Sequence, residues 1–250
     1  MESMFVVIFF VLGLVFGSFF NVIGLRLPKN QTFTNGHSIC PYCQQRLSWI
    51  ELVPIFSFIM QGGKCSYCKK RISVIYPIGE CATGVLFAFS FMQIGFHIEL
   101  LTALLFISML MIILISDIKY MLIPDKVLLF FLPLFITLRY INPLEPWWSP
   151  ILGALVPFIM IAVIIFVSRG GMGAGDMKLF GITGIVLGLK KVLLAFFLSC
   201  VIGAVIGMIL LFCKKISRNQ PFPFGPYIII ATLISYYFGD KIITWYFTFF

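Results

Sequence analysis

The sequence predicts an all-α polytopic membrane protein of about eight transmembrane helices, with a small cysteine-rich, metal-binding cytoplasmic loop after the first helix. Hydrophobic residues make up 61% of the 250 and charged residues only 11%, against roughly 45–50% and 25% in soluble domains. Mean hydropathy is +1.08, and the apolar residues gather in runs long enough to cross ~30 Å of hydrocarbon at ~1.5 Å per residue. A soluble fold of this size would leave large apolar patches in water. Disordered, collagenous and secreted disulfide-scaffold classes are excluded on the same grounds. The net charge of +9 would suit nucleic acid, but Lys and Arg collect beside membrane spans on the cytoplasmic side, so the charge reads as topology and no nucleic-acid partner is expected.

Taken in order, the first apolar run covers about residues 4–25. Glu2 stands where a signal peptide would carry its basic region, and no small-x-small cleavage site follows, so this run is expected to stay as the first helix. Residues 26–73 form the one sizeable polar stretch, too small to build a good core alone. Further apolar runs lie at about 74–94, 100–116, 127–141, 151–167, 179–189, 192–213 and 224–238. The run at 179–189 is too short to span unless its helix starts near Asp176 or the piece is re-entrant within protein. Three regions follow: 1–25, 26–73 and 74–250.

With the amino terminus outside, only Arg139, Lys190, Lys191 and Lys241 of the 18 Lys and Arg fall in outer connections. The rest, from Arg26 to Arg218, fall inside, and that bias predicts this orientation. Trp147, Trp148, Trp245 and Tyr246 then sit near the outer face as interfacial aromatics.

Cys40-Pro41-Tyr42-Cys43 and Cys65-Ser66-Tyr67-Cys68 are two CxxC pairs. Each tight turn supplies two sulfurs and the intervening chain closes the loop, a pattern that suits tetrahedral zinc. Disulfides are the structural rival, disfavoured in a reducing cytoplasm. A redox pair is the functional rival, weakened because the motif recurs without a βαβ pattern. Cys81, Cys200 and Cys213 lie in apolar segments and read as small packing residues.

Nine acidic residues occur in all, and Glu80, Asp117, Asp125 and Asp176 lie within or at the ends of apolar segments, where a carboxylate is a functional candidate by default. Asp117 ends one run at the inner face. Asp176 opens another after Gly170-Gly171-Met172-Gly173-Ala174-Gly175, at the same face. Two carboxylates converging in a partly dry site share a proton and can work on water as base and acid, the chemistry of an aspartic protease. Glycines before Asp176 would let backbone approach a substrate or helix closely. The plainer alternatives are a helix-end Asp117 paired with Lys119 or Lys126, and Asp176 as an ordinary N-cap.

Further motifs are Gly17-Ser18-Phe19-Phe20-Asn21-Val22 through Arg26-Leu27-Pro28; Leu47-Ser48-Trp49 and Pro54-Ile55-Phe56-Ser57; Tyr76-Pro77 with Glu80; Ile123-Pro124-Asp125; Gly173 to Lys178; and Pro223-Phe224-Gly225-Pro226. In this order, together with the paired CxxC loop and Asp117, they resemble the bacterial type IV prepilin peptidases over essentially the whole chain. One departure is Ile75-Tyr76-Pro77 where that family usually has Arg-Tyr-Pro.

The resemblance implies catalytic Asp117 and Asp176, the second in the Gly-x-Gly-Asp arrangement also seen in presenilin-like proteases. It implies metal ligands at Cys40, Cys43, Cys65 and Cys68, with residues 26–73 linked to methyl transfer and 74–250 forming the peptidase core. The expected activity is cleavage of the basic leader of prepilins or pseudopilins after a glycine at the cytoplasmic face of the bacterial inner membrane. N-methylation of the new amino terminus with S-adenosylmethionine would follow. Asp125, Lys178, Gly173, Gly175 and Glu80 are the expected supporting or substrate-binding positions, and zinc and membrane lipid the other expected partners. No glycine-rich nucleotide loop is evident. A transporter using Glu80, Asp117 and Asp176 as relay groups is one rival, but repeated halves are missing and the carboxylates cluster at one face. A metal or redox module centred on the cysteines is the other.

Overall fold

A computed structural model describes residues 2–31, 38–168, 172–214 and 223–248. These form eight α-helices: α1 (Glu2–Arg26), α2 (Phe56–Met60), α3 (Ile75–Ile94), α4 (Ile98–Tyr120), α5 (Asp125–Ile141), α6 (Ser149–Val167), α7 (Ala174–Phe212) and α8 (Gly225–Thr248). Among the described residues the only β-type pairings are two isolated bridges. Gly170 and Gly171 of the glycine run, and Arg169, Lys215 and Arg218 of the inner charges, lie outside the described residues.

Six helices, all but α2 and α5, are long and apolar enough to cross a membrane. The protein is therefore a multi-pass membrane protein. The expected count of eight spans differs for two physical reasons. α5 has 17 residues with Pro133 inside it, while α7 runs 39 residues and merges the expected segments at 179–189 and 192–213 across a break at Gly188. The short segment starts before Asp176, at Ala174, but from there to the break at Gly188 it rises only about 21 Å, short of the ~30 Å layer.

The chain divides into two compact units, Met1–Ser116 and Asp117–Phe250. In the first unit α1 packs on α3 through small residues. A Cβ at Gly13 would lie 2.6 Å from the Gly84 Cα, and one at Gly17 would lie 2.8 Å from the Glu80 Cα, the close approach that small-residue interfaces permit between membrane helices. Asn21, 1% exposed, donates from Nδ2 to the Tyr76 carbonyl at 3.1 Å.

In the second unit α6 and α7 cross so tightly that a Cβ at Gly184 would overlap the Gly153 carbonyl. Four residues later α7 breaks: Gly188 has φ +74 and ψ 173, a backbone state side chains disfavour. A break buried among helices, as at Val186–Gly188, orphans backbone groups that water cannot reach. Here Arg139 of α5 donates from Nε and Nη2 to the Val186 carbonyl at 3.1 and 2.6 Å. Ser149 Oγ accepts the Leu189 N–H at 3.1 Å. Arg139, counted above among the charges of the outer connections, is thus buried at the break. Cys81 and Cys200 also differ from expectation, standing on outward faces of α3 and α7, and Cys213 is exposed at the end of α7.

Candidate active site

Asp117 lies in the last turn of α4. The chain then turns through Met121 at φ +52 and re-enters helix at Asp125. Asp176 is the third residue of α7, which follows its N-cap Gly173; it is therefore not itself the N-cap. The two carboxylates are 5% and 8% exposed. Both line one cleft of about 790 Å³, together with Ile123, Asp125, Gly173, Gly175, Lys178 and Phe224, and they lie close enough for their charges to interact.

Each aspartate is held by one backbone N–H. Gly225 donates to Asp117 Oδ2 at 3.0 Å, and Gly173 donates to Asp176 Oδ2 at 3.2 Å. Such bonds fix carboxylate orientation and leave the other oxygen for a ligand or water. The small residues serve this geometry. A Cβ at Gly225 would come within 2.5 Å of Asp117 Oδ2, and one at Gly175 would lie 3.0 Å from the Ile123 Cβ. Gly225 is a site residue that carried no role in the sequence reading. Its signal was Gly225-Pro226 at the start of an apolar run, a natural helix entry.

Asp125 and Lys178 meet at the same cleft, with Lys178 Nζ 2.8 Å from both carboxylate oxygens and both side chains about half exposed. Glu80 belongs to the first unit. It is 7% exposed, its Oε2 accepts the Ile55 N–H at 2.8 Å, and it also bonds the Ser18 side chain.

The cysteine loop in the first unit folds as two matching knuckles. Cys40 N–H donates to the Gln45 carbonyl at 3.0 Å and Gln44 N–H to the Cys40 carbonyl at 2.9 Å; Cys65 and Lys69 repeat this toward Lys70 and Cys65 at 2.9 and 3.0 Å. Gln44 and Lys69 occupy equivalent positive-φ positions, at +56 and +60. Lys70 Nζ sits 4.7 Å above the Tyr42 ring, a cation–π contact between the knuckles. All four sulfurs lie within 4.8 Å of one another, and those of Cys40 and Cys68 are 3.8 Å apart. A tetrahedral ion with bonds of about 2.3 Å would set its sulfurs about 3.8 Å apart. The cluster fits a metal ion.

Its electrostatics ask for a cation. The Cys43 N–H, against burial and with help from the Tyr42 N–H, lowers the Cys40 thiol to about 7. The Gln45 N–H pulls Cys43 down, but desolvation and the neighbouring thiols outweigh it and push that thiol up to about 11. Four crowded sulfurs cannot all ionise without positive charge among them. Nearby, Glu51 accepts the Ser48 N–H at 2.8 Å and the Ser48 hydroxyl at 3.1 Å. The first of these, then the Ser66 and Ser48 hydroxyls, hold its carboxyl below the ordinary range despite some desolvation.

Comparison with known proteins follows the same division. Residues 11–94 match the bacterial peptidase A24 N-terminal domain and residues 104–208 match the type IV leader peptidase family. A prepilin leader peptidase/N-methyltransferase of Bacillus subtilis is 42% identical over 96% of both chains. The chain belongs to the type IV leader peptidase family. Proteins of the same name from Xanthomonas campestris and Pseudomonas aeruginosa are 31% and 30% identical, covering 95% and 98% of this chain and 93% and 94% of theirs. No solved structure matches significantly. Within this leader peptidase family member, the first match holds the knuckles and Glu80, and the second holds Asp117, Asp125, Asp176 and Lys178.

Proposed function

We propose that this leader peptidase cuts the basic leader from type IV prepilins or pseudopilins after a glycine, with Asp117 and Asp176 as the catalytic pair, and then methylates the new amino terminus. One observation carries the reading: two buried aspartates, from helices far apart in sequence, face one cleft, each oriented by a single backbone N–H.

Two carboxylates facing one cleft hold a proton between them. The ionised one takes a proton from water as that water attacks the scissile carbonyl. The protonated one hydrogen-bonds the carbonyl oxygen and then donates to the departing amine, so the pair ends one proton exchange from where it began. Gly173 and Gly175 let the substrate backbone approach, and the Asp125–Lys178 ion pair at the mouth positions the glycine turn and the incoming leader. The amino terminus lies outside and the cleft opens at the cytoplasmic face of the bacterial inner membrane, as the charge bias supports. Residues 74–250 form the peptidase core and 26–73 the metal-binding, methyl-transfer-linked loop.

Zinc is the ion for Cys40, Cys43, Cys65 and Cys68, since four thiolates at tetrahedral separations are a structural zinc set. It would supply the folding energy that a small loop lacks. Methyl transfer rests on the relatives' name, with S-adenosylmethionine as its expected donor; Gly173 holds the Asp176 carboxylate and Gly175 packs on Ile123, so this turn is not a nucleotide loop.

The deciding experiment incubates purified protein with a prepilin, with and without S-adenosylmethionine, and weighs the products. Leader loss, and an added methyl group only with the donor, is the expected result. Asp117→Asn and Asp176→Asn should each abolish cleavage while retaining metal and fold, because an amide keeps the shape but cannot exchange the shared proton. Substantial cleavage by either variant overturns the assignment.

A further inference from the structure

Between the two knuckles the cysteine loop turns apolar side chains outward. Trp49 is 78% exposed, Ile59 69% and Met60 72%, with Ile50 and Phe56 also exposed. Phe56, Ile59 and Met60 share one face of α2 by their i, i+3, i+4 spacing. No cytosolic domain of this size would leave so concentrated a patch in water without a partner.

The depth of this segment names the partner. Ile55, which leads into α2, donates its N–H to Glu80 Oε2 at 2.8 Å. Glu80 is the sixth residue of α3, and the same carboxylate meets Ser18, eight residues inside the end of α1. At ~1.5 Å per residue, Ile55 lies about 7–12 Å inward from the loop-side ends of two membrane-crossing helices. α1 is about 37 Å long by the same rise, and the hydrocarbon layer about 30 Å thick, so this level falls where headgroups meet acyl chains. Ile55 is also held at φ +59 and ψ −50, a state a β-branched residue avoids. The bond to Glu80 holds the chain in that bend, and α2 starts there.

Charge points the same way. Residues 38–73 carry five basic side chains, Arg46, Lys64, Lys69, Lys70 and Arg71, and one acidic side chain, Glu51, whose carboxylate is occupied by Ser48. The basic residues are all exposed. Apolar side chains at acyl depth with basic residues around them match an anionic leaflet.

We propose that residues 49–60 are an interfacial anchor, seated in the headgroup–acyl boundary of an anionic lipid leaflet and holding the cysteine loop against the membrane. The proposal is independent of the roles given to Asp117 and Asp176.

The test leaves Trp49 as sole tryptophan (Trp147→Phe, Trp148→Phe, Trp245→Phe) in phosphatidylglycerol-containing vesicles. Phosphatidylcholine brominated high on its acyl chains should quench Trp49 roughly two-fold or more, while aqueous iodide has little effect. Efficient iodide quenching with no effect of brominated lipid overturns the anchor. So does lipid insensitivity joined to a Trp49 shift on adding a prepilin, which would make the face a protein-docking surface. Should the triple variant fail to fold, the wild-type protein can be photolabelled with a phosphatidylglycerol bearing a diazirine near the headgroup. Label within residues 49–60 supports the anchor, and label confined to the long helices overturns it.

Discussion

Gly225 and Asp117 are joined by a 3.0 Å hydrogen bond from the backbone N–H of the first to Oδ2 of the second, across 108 residues of sequence. The N–H belongs to the first residue of α8 and would otherwise be an orphan of the helix start. One bond therefore caps α8 and aims the carboxylate. Gly225→Ala puts a Cβ 2.5 Å from that oxygen, so the carboxylate must turn away. Cleavage should fall at least about tenfold, since a misplacement near 1 Å costs that much or more. Single-turnover kinetics check this, with metal content unchanged as evidence of fold.

Asp125 and Lys178 form a half-exposed ion pair, and such pairs contribute under about 1 kcal/mol to stability. Asp125→Asn and Lys178→Met should leave thermal stability nearly unchanged and reduce cleavage without eliminating it. Melting curves and initial rates on one prepilin are the measurement. If Asp125→Asn is inactive and Asp117→Asn active, the catalytic carboxylate is Asp125.

Purified protein should carry about one zinc per chain by elemental analysis. Replacing Cys40, Cys43, Cys65 and Cys68 together by Ser should remove it and expose residues 38–73 to proteolysis, because the knuckles are held chiefly by their own short backbone bonds. Protein isolated without chelators and free of metal, or containing two disulfides, contradicts the assignment.

Glu51 gives the loop a pH dependence with a definite sign. Its carboxyl is held below the ordinary range when folded, so its contribution is present at neutral pH and is lost as pH falls through the carboxylate range, about pH 5 to 3. Amide-exchange protection at Ser48 should decline over that window. Glu51→Gln should flatten the decline.

Glu80→Gln separates charge from tether. The amide oxygen can still accept the Ile55 N–H, so the loop stays attached while the negative charge beside it is lost. Methylation should fall more than cleavage when both are followed by mass spectrometry on one substrate. Equal loss of both activities reduces Glu80 to the hydrogen bonds it makes with Ile55 and Ser18.

The sequence made local chemistry legible and left tertiary closure hidden. The CxxC pairs could be read because four ligands from two tight turns need only short-range spacing, and the knuckles repeat down to Gln44 and Lys69. Asp117 and Asp176 could be placed at one face by counting helices, yet the N–H groups that hold them could not. Gly225 reaches Asp117 only after three helices, α5, α6 and α7, have intervened. Arg139 defeated charge counting because a long side chain can be drawn inward to a broken helix, whose carbonyl attracts it more than water does. α2 escaped because five residues, four of them apolar, are too few to establish a period.

The break at Gly188 turns the first part of α7 into a strut of fixed length. Its far end is pinned by Arg139 and Ser149, and its near end carries Asp176, twelve residues or about 18 Å away. Changing a side chain along it alters packing locally. Adding or removing one residue would swing Asp176 about 100° around the helix axis and slide it about 1.5 Å, out of reach of Asp117. Between these two points, chain length is a more stringent constraint than residue identity, and the height of Asp176 along the helix axis is set by counting residues from the break.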